Sequence, residues 1–294
     1  MKTAFITFEK FHGRKDIGSS RIRAHNLIKY WEKAGTDIGP AYDYQYGGKY
    51  DVLIFQKAYF AQMAENFQGI KILDLCDADW LYWGYKIKET LQHCDAVTCP
   101  TLAIAKYIVN LTDKPVVVIP DRVDFDTIPD RIKNHIGDIR KVVWFGYADN
   151  FEVLNMAVPA IYSRGLELIV ISNKSYIPPR QFKELEITNY PWSPDHWMDD
   201  MIRGDIVINP KYEKGRFKFK SDNKTTQAWA LGIPVAYVDI DLDSFKTEDT
   251  RKKEAEEKLI LVKKNFDVKK SVIELKELII EIYENKNKHK ALNG

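Results

Sequence analysis

Cysteine is scarce in this sequence, which contains three among its 294 residues. Cys76, Cys94 and Cys99 do not have the paired spacing of a structural zinc site, and their odd number argues against a framework of disulfides. The simplest compartment for such a protein is a reducing one, so we expect it in the cytoplasm.

Long apolar runs and glycine-rich nucleotide motifs are also missing. No stretch is apolar for long enough to cross a membrane, and the N-terminal residues have the pattern of a buried strand rather than of a signal peptide. No G-x-G-x-x-G motif occurs, which disfavours an oxidoreductase that binds a nicotinamide dinucleotide. The 44 lysine and arginine residues nearly balance the 42 aspartate and glutamate residues, so the net charge of +2 favours no class of partner.

What the sequence has is an alternation of short apolar segments with amphipathic ones. The apolar segments predict strands at residues 3–8, 51–55, 70–75, 96–99, 116–119, 142–145, 167–171, 187–190, 206–209 and 235–238. Strands that are apolar on both faces and separated by helices are typical of parallel sheets covered on two sides.

The alternation stops over residues 121–140, which are rich in charge. We therefore predict an N-terminal domain at residues 1–124, a linker at 125–140 and a C-terminal domain at 141–294. We expect each domain to be a Rossmann-like, doubly wound α/β unit, and the two to face each other across a cleft. Ligands of such sheets bind beyond the carboxyl ends of the strands, so the loops that follow the strands are the candidates for chemistry.

A basic segment precedes a helix that we predict at residues 223–231. Residues 211–224 carry six lysine or arginine side chains against two acidic ones. The N–H groups at the start of a helix and the helix dipole both favour anions, so our hypothesis is that a diphosphate binds there. The alternative is a solvated basic loop before an ordinary core helix.

Four segments resemble, in order along the chain, elements of the GT-B glycosyltransferases. Residues 95–101 (DAVTCPT) are similar to the family's strand, Pro-Ser and helix element, and residues 116–124 (VVVIPDRVD) to its "PVxVIPNGVD" hinge. Residues 144–146 (WFG) resemble the first strand and glycine turn of the nucleotide-sugar domain. Residues 227–235 (QAWALGIPV) are similar to the "EAMAxGxPV" helix and strand of the large retaining branch.

The resemblance implies a metal-independent enzyme without a cofactor that transfers a sugar from a nucleotide-diphosphate donor, such as a UDP-sugar, to an acceptor hydroxyl. The C-terminal domain would bind the donor and the N-terminal domain the acceptor. The retaining branch carries two glutamates seven residues apart, where this chain has Lys220 and Gln227. Gln227 can still hydrogen-bond a ribose hydroxyl, whereas Lys220 cannot imitate a carboxylate, and the stereochemistry of transfer stays open.

Site residues follow from the predicted loops and from the resemblance. For the donor we predict contacts from Gly146, Ser172, Asn173, Tyr190, Trp192, Arg216, Lys218, Lys220, Ser221, Asn223, Lys224, Thr225 and Gln227. For the acceptor we predict contacts from Ser19, Ser20, Arg21, Arg23, Lys57 and Tyr59. Ordinary packing is the alternative for the two aromatic donor residues, and a solvated helix start is the alternative for the arginines.

Asp77 and Asp79 follow a predicted strand and are the candidate catalytic residues. A carboxylate there would take the proton of the acceptor hydroxyl as a general base. The alternatives are the D-x-D metal clamp of the other glycosyltransferase fold, which a basic diphosphate site makes unnecessary, and a plain turn with a helix cap.

The sequence leaves the acceptor open between a polysaccharide, a protein, a small molecule and a hydroxylated base in DNA, as modified by compact enzymes of this fold from phages. Because the two glutamates are missing, a second alternative is that the chain is not an enzyme. It would then be a nucleic-acid-binding module built on a degenerate transferase scaffold. No oligomeric state is predicted.

Overall fold

The computed structural model describes residues 1–9, 17–33, 50–129, 132–212 and 214–293. The chain divides into two compact units. The first unit comprises Met1–Arg122, Lys218–Ser221 and Val268–Gly294, and the second comprises Val123–Phe217 and Asp222–Asp267.

The first unit is built on a parallel sheet, which has five strands in the described part of the chain. The strands lie in the order β1-β2-β3-β4-β5 and are β1 Thr3–Thr7, β2 Val52–Gln56, β3 Ile70–Asp74, β4 Ala96–Cys99 and β5 Val116–Val118. Successive residues of β2 enter different apolar clusters, with Leu53 and Phe55 in one and Val52 and Ile54 in the other. The alternation shows that both faces of this sheet are covered, as expected for parallel strands.

Helices cover both faces of the first sheet. They are Gly18–Ser20, the π-helical turn Arg21–His25, Asn26–Lys33, Ala61–Asn66, Trp80–Trp83, Ile87–Leu91, Leu102–Ile108 and Val268–Asn293. Helix Ala61–Asn66 contributes Met63 to the cluster on one face, and the C-terminal helix contributes Leu275 and Ile279 to the cluster on the other.

The second unit contains a second parallel sheet, again with five strands among the residues that the structure describes. The strands are β6 Lys141–Phe145, β7 Glu167–Ser172, β8 Ile187–Pro191, β9 Ile206–Ile208 and β10 Val235–Ala236, in the order β10-β9-β6-β7-β8. The strand order reverses beside β6, so β6 lies at the switch point where ligands of doubly wound folds bind.

Short helices connect these strands, and one long helix follows them. The α-helices of the second unit are Phe151–Asn155, Val158–Ser163, Trp197–Met201, Asn223–Ala230, Asp239–Ser244 and Glu248–Asn265. The 3₁₀ turns of this unit are Phe125–Thr127, Ala148–Asn150 and Arg180–Phe182, and the turn Gly215–Phe219 begins in this unit and ends in the first. No helix in the described ranges combines the length and the apolar character needed to span a bilayer.

The fold class predicted from the sequence, an α/β protein with two Rossmann-like units, is confirmed. The division into units differs from the predicted boundaries in three places. The C-terminal helix belongs to the first unit because its apolar stripe packs on the first sheet, and residues 218–221 also belong to the first unit. Residues 123–129 and 132–140, which take in the predicted linker and the last two residues of the predicted N-terminal domain, belong to the second unit.

Phe219 explains why four residues of the basic segment belong to the first unit. Its side chain is buried in the first unit's core and packs edge-on against Tyr107, with ring centroids 6.1 Å apart. Its carbonyl accepts a hydrogen bond from the Thr101 hydroxyl at 3.3 Å, and the Ser221 hydroxyl donates to Asp121 at 2.6 Å. One buried aromatic ring and two hydrogen bonds therefore fix this segment.

Candidate active site

The candidate acid–base site of the first unit lies at the carboxyl ends of β2 and β3. Gln56 and Asp74, the last residues of these strands, are register partners. Lys57 follows Gln56 in a left-handed conformation, with a φ of 53° that is uncommon for any residue except glycine. Its backbone N–H donates to the carbonyl of Asp74 at 2.7 Å, which fixes this turn.

The buried ammonium of Lys57 lies between two carboxylates. Its Nζ is 3.1 Å from Oδ2 of Asp77 and 3.7 Å from Oδ2 of Asp79, and it also lies 4.3 Å from the centre of the Phe8 ring. Burial alone would lower the pKa of Lys57, but the two aspartates outweigh burial and raise it. The lysine therefore stays charged and supplies a fixed positive charge behind both acids.

Asp77 bridges two lysines. Its Oδ1 accepts a hydrogen bond from Lys220 at 2.6 Å, and its Oδ2 accepts one from Lys57. Burial pushes the pKa of Asp77 upward, but Lys220 and Lys57 outweigh it and hold this pKa below its ordinary value. The side chain is 26% exposed, so Asp77 is an ionised carboxylate that a substrate can reach.

Asp79 is buried more deeply and has a different environment. Its Oδ1 accepts hydrogen bonds from the Tyr59 hydroxyl at 2.6 Å and from the backbone N–H of Trp80 at 3.0 Å. Burial raises the pKa of Asp79 to about 6, and Lys57 offsets only part of this effect. The side chain is 1% exposed and caps helix Trp80–Trp83, so the structure shows the helix-cap alternative, while a catalytic role for Asp79 stays a prediction.

The structure thus brings together five predicted site residues in one cluster, which we call the acid–base cluster. Its members are Lys57, Tyr59, Asp77, Asp79 and Lys220. Four of them were predicted as catalytic or acceptor residues because they follow adjacent strands. Lys220 was predicted for the donor, and the structure pairs it with Asp77 in the first unit.

Arg23 belongs to a separate buried network. Its guanidinium donates to both oxygens of Asp74 at distances of 2.6–3.1 Å, to Asp121 at 2.8 Å and to the carbonyl of Ile119 at 2.9 Å. Thr98 donates to the same Asp74 at 2.6 Å. These contacts join the ends of three strands and give Arg23 a structural role, and its predicted acceptor contact stays a prediction.

The remaining predicted acceptor residues begin the first helical segment. The Ser20 hydroxyl is buried and donates to Oε1 of Gln56 at 3.0 Å, which attaches the segment to the end of β2. Ser19 and Arg21 are half-buried beside it. The roles predicted for these three residues in acceptor binding stay predictions.

The candidate donor site of the second unit surrounds Gly146, which follows β6. Its φ of 152° is one that residues with a side chain rarely adopt, and a Cβ at this position would lie 2.5 Å from Nζ of Lys224. That ammonium lies 4.6 Å from the centre of the Trp144 ring. The structure therefore brings two of the predicted donor residues, Gly146 and Lys224, together at the switch point of the sheet.

Lys224 occupies the first turn of helix Asn223–Ala230, close to the predicted helix bounds. Asp222 precedes this helix, but its side chain does not cap it and instead pairs with Lys211. Thr225 is buried and its hydroxyl oxygen accepts hydrogen bonds from Asn209 at 3.1 Å and Tyr237 at 3.4 Å. Gln227 lies half-buried one turn along the helix from Asn223.

Four more of the predicted donor residues lie at the ends of β7 and β8 and in the loops that follow, namely Ser172, Asn173, Tyr190 and Trp192. The side-chain oxygen of Asn173, beside the buried Ser172, accepts the backbone N–H of Ala148 at 2.9 Å and so links the loop after β7 to the loop after β6. Tyr190 and Trp192 are half-buried and pack against the core, which is the alternative interpretation of these residues. Their contact with a nucleotide base stays a prediction.

The charges of the basic segment are divided between the units. Lys211, Arg216 and Lys224 belong to the second unit, where Arg216 donates to the carbonyl of Asp149 at 2.5 Å. Lys218 and Lys220 belong to the first. A charge count along the sequence did not reveal this division, although Phe219, an apolar residue between two lysines, was the available signal.

Sequence reasoning also missed the two acidic partners of Arg23. Asp74 and Asp121 follow or end apolar strands, and an acid in such a position was the signal that would have found them.

Comparison of the sequence with protein-family models and with curated proteins gives no match. Solved structures are similar in fold. An α-glucosyltransferase in complex with UDP and a 13-mer DNA aligns with a TM-score of 0.66 at 10% identity, over 95% of this chain and 98% of that chain. Alr3699/HepE of Anabaena, in complex with UDP and glucose, aligns with a TM-score of 0.64 at 10% identity, over 95% of this chain and 98% of that chain. The T4 phage BGT with its UDP-glucose substrate aligns with a TM-score of 0.57 at 13% identity, over 95% of this chain and 99% of that chain.

The chain also spans 57% of the length of a chain of the Glycosylation Associate Protein (Gap123) complex from Streptococcus agalactiae, with a TM-score of 0.46. Together with the two parallel sheets, the nearly full-length alignments above show that this chain has the GT-B fold of glycosyltransferases.

Proposed function

We propose that this protein is a glycosyltransferase that moves a sugar from a nucleotide-diphosphate donor to an acceptor hydroxyl. The observation that carries the proposal is the position of Lys224, whose ammonium lies beside Gly146 at the switch point of a GT-B sheet and in the first turn of a helix. Two proteins that share this fold have structures in complex with UDP.

The donor diphosphate would lie at the start of helix Asn223–Ala230. The N–H groups of the first helical turn and the ammonium of Lys224 attract the same anion, and the missing side chain of Gly146 allows the phosphates to approach the backbone. Charge develops on the departing diphosphate during transfer, so positive groups that are already in place stabilise the transition state. Lys218, Lys220 and Ser221 stay predicted donor contacts.

The acceptor hydroxyl would lose its proton to Asp77. Of the two candidate carboxylates Asp77 is the accessible one, with 26% of its side chain exposed against 1% for Asp79. An acceptor hydroxyl that takes the place of Lys220 at Oδ1 removes one of the two cations that depress the pKa of Asp77, and the carboxylate becomes a stronger base.

A screen of UDP-, GDP-, ADP- and dTDP-sugars tests this proposal. A donor that binds the folded protein raises its melting temperature, and slow hydrolysis of that donor releases a nucleoside diphosphate. We expect one nucleotide class to produce both effects, with the release unaffected by EDTA because we propose no metal in the reaction. Melting temperatures that no donor shifts would contradict the proposal.

Glycosylation of a hydroxylated base in DNA is the second candidate function. Two structures that favour it are the α-glucosyltransferase solved with DNA and the DNA-modifying β-glucosyltransferase, which aligns with a TM-score of 0.60 at 11% identity. A DNA acceptor predicts retention of duplex DNA that falls steeply as salt rises, because phosphate contacts release counterions. Absence of retention at low salt would argue against this candidate.

A further inference from the structure

Three aromatic side chains, the exposed Trp83 and the half-buried Tyr59 and Tyr85, form a surface that adjoins the acid–base cluster and includes one of its members, Tyr59. We call it the aromatic platform and define it by these three residues. Tyr85 contacts both other rings, with centroids 5.2 Å from Tyr59 and 6.1 Å from Trp83. Trp83 is 55% exposed, an unusual exposure for the largest aromatic side chain.

Local backbone structure holds the platform in place. Trp83 is the last residue of a single helical turn that Asp79 caps at its start. Gly84 ends the turn with a φ of 69°, in the left-handed region that favours glycine, and Tyr85 follows directly. The exposed tryptophan is therefore placed by the same aspartate that belongs to the acid–base cluster.

The platform lies close to the proposed base. The Nζ of Lys57 is 5.3 Å from the centre of the Trp83 ring and 3.1 Å from Oδ2 of Asp77. One lysine side chain thus links the aromatic face to the carboxylate. The ammonium of Lys57 lies over the Trp83 ring and pairs with Asp77, so a sugar ring that packs on the exposed part of Trp83 lies next to this ion pair.

We propose that the aromatic platform binds an uncharged saccharide as the acceptor of the transfer reaction, an inference that rests on the proposed function. The C–H faces of a sugar ring pack against aromatic rings, while its hydroxyl groups point sideways toward donors and acceptors. A saccharide stacked on Trp83 would present a hydroxyl to Asp77.

The charges around the platform favour a neutral acceptor over a nucleic acid. Lys57 and Lys220 both pair with Asp77, and the exposed Lys86 lies 3.1 Å from Glu89. Affinity for a nucleic acid comes largely from cations that neutralise phosphates. These three lysines have acidic partners of their own, whereas an uncharged sugar ring needs no cation to neutralise it.

Saturation-transfer difference NMR on the full chain tests the inference. The probes are neutral oligosaccharides, namely cello-, malto-, xylo- and chitotriose, and a 13-mer DNA single strand and duplex serve as the competing class. We expect saturation transfer to the ring C–H protons of at least one oligosaccharide, reduced five-fold or more in Trp83→Ala and largely kept in Trp83→Phe.

Tyr283→Ala provides the matched control, because Tyr283 is an aromatic residue of the same unit with 50% exposure and lies far along the chain on the C-terminal helix. Circular dichroism confirms that each variant is folded. Three outcomes overturn the inference: no transfer to any oligosaccharide, equal transfer in Trp83→Ala, or a Trp83-dependent signal from DNA alone. If the donor screen succeeds while this test fails, the proposed function stands and the saccharide acceptor does not.

Discussion

Asp77 is the residue on which the proposed chemistry depends most. It is ionised, accessible, and held by two lysines at 2.6 and 3.1 Å. We predict that Asp77→Asn lowers the rate of transfer by about 10²–10⁴-fold, the usual contribution of a general base, and leaves donor affinity nearly unchanged. Initial-rate assays and donor titration measure the two effects.

An exposed aspartate elsewhere in the first unit, Asp113, supplies the control for that substitution. Asp113→Asn should behave like the unmodified protein in both assays. Full transfer activity in Asp77→Asn would remove Asp77 from the mechanism.

Asp79 gives a prediction for the dependence of stability on pH. Its folded pKa of about 6 exceeds the ordinary value of 3.8, so between pH 4 and 6 the folded state holds a proton that the unfolded state has lost. This group therefore makes the free energy of unfolding fall as pH rises through that window, by up to about 3 kcal/mol, and adds no further change above it.

Urea unfolding of the unmodified protein and of Asp79→Asn at several pH values measures this effect. The free energy of unfolding of Asp79→Asn, relative to that of the unmodified protein, should rise from pH 4 to 6 and then stay constant. A difference in free energy of unfolding that is the same at every pH would contradict the raised pKa of Asp79.

Sequence reasoning found the members of the acid–base cluster but not their pairing. Lys57, Tyr59, Asp77 and Asp79 were found because they follow neighbouring strands of one sheet. The contact between Lys220 and Asp77 spans 143 residues of the chain, and no local pattern encodes it. The same holds for Arg23, whose partners depend on which strand ends meet in the sheet.

The C-terminal helix Val268–Asn293 presents an apolar stripe to the first sheet. Leu275 is 3% exposed within this stripe, whereas Ile273 on the same helix is 55% exposed. We predict that Leu275→Ala lowers the free energy of unfolding by about 2–5 kcal/mol, because it leaves a cavity in the core. Ile273→Ala should change it by about 0.5 kcal/mol or less.

Urea unfolding of both variants compares the two faces of the helix. Similar losses for the two substitutions would contradict the packing of this helix on the first sheet.

Strands were easier to predict than the helices that cover them. Every one of the ten predicted strands is present, with ends shifted by at most two residues, because buried parallel strands are marked by short continuous apolar runs. From the sequence alone, residues 150–164 are predicted to form one helix, whereas the structure has two helices there, with Pro159 near the start of the second. At the C-terminus, the spacing of Val272, Leu275, Leu278, Ile279 and Ile282 predicts a helix with an apolar stripe, but this spacing does not identify the sheet on which the stripe packs.

The GT-B fold was predictable because four short segments matched the family in the right order. No family model matches the sequence, and identity to the fold's solved representatives is 10–13% in the three compared above. The departures at Lys220 and Gln227 lie where the retaining branch has carboxylates, so the proposed donor site would rely on other groups. Lys224, whose ammonium lies beside Gly146, is the group that we propose for this purpose.

Calorimetric titration of UDP into the unmodified protein and into Lys224→Met tests the donor site most directly, with Lys183→Met as the control because Lys183 is an exposed lysine of the same unit. Loss of one charge-assisted contact should raise the Kd of Lys224→Met by about 10–100-fold, with the control unchanged. Equal affinity for UDP in Lys224→Met and the unmodified protein would contradict the proposal that this helix start holds the diphosphate.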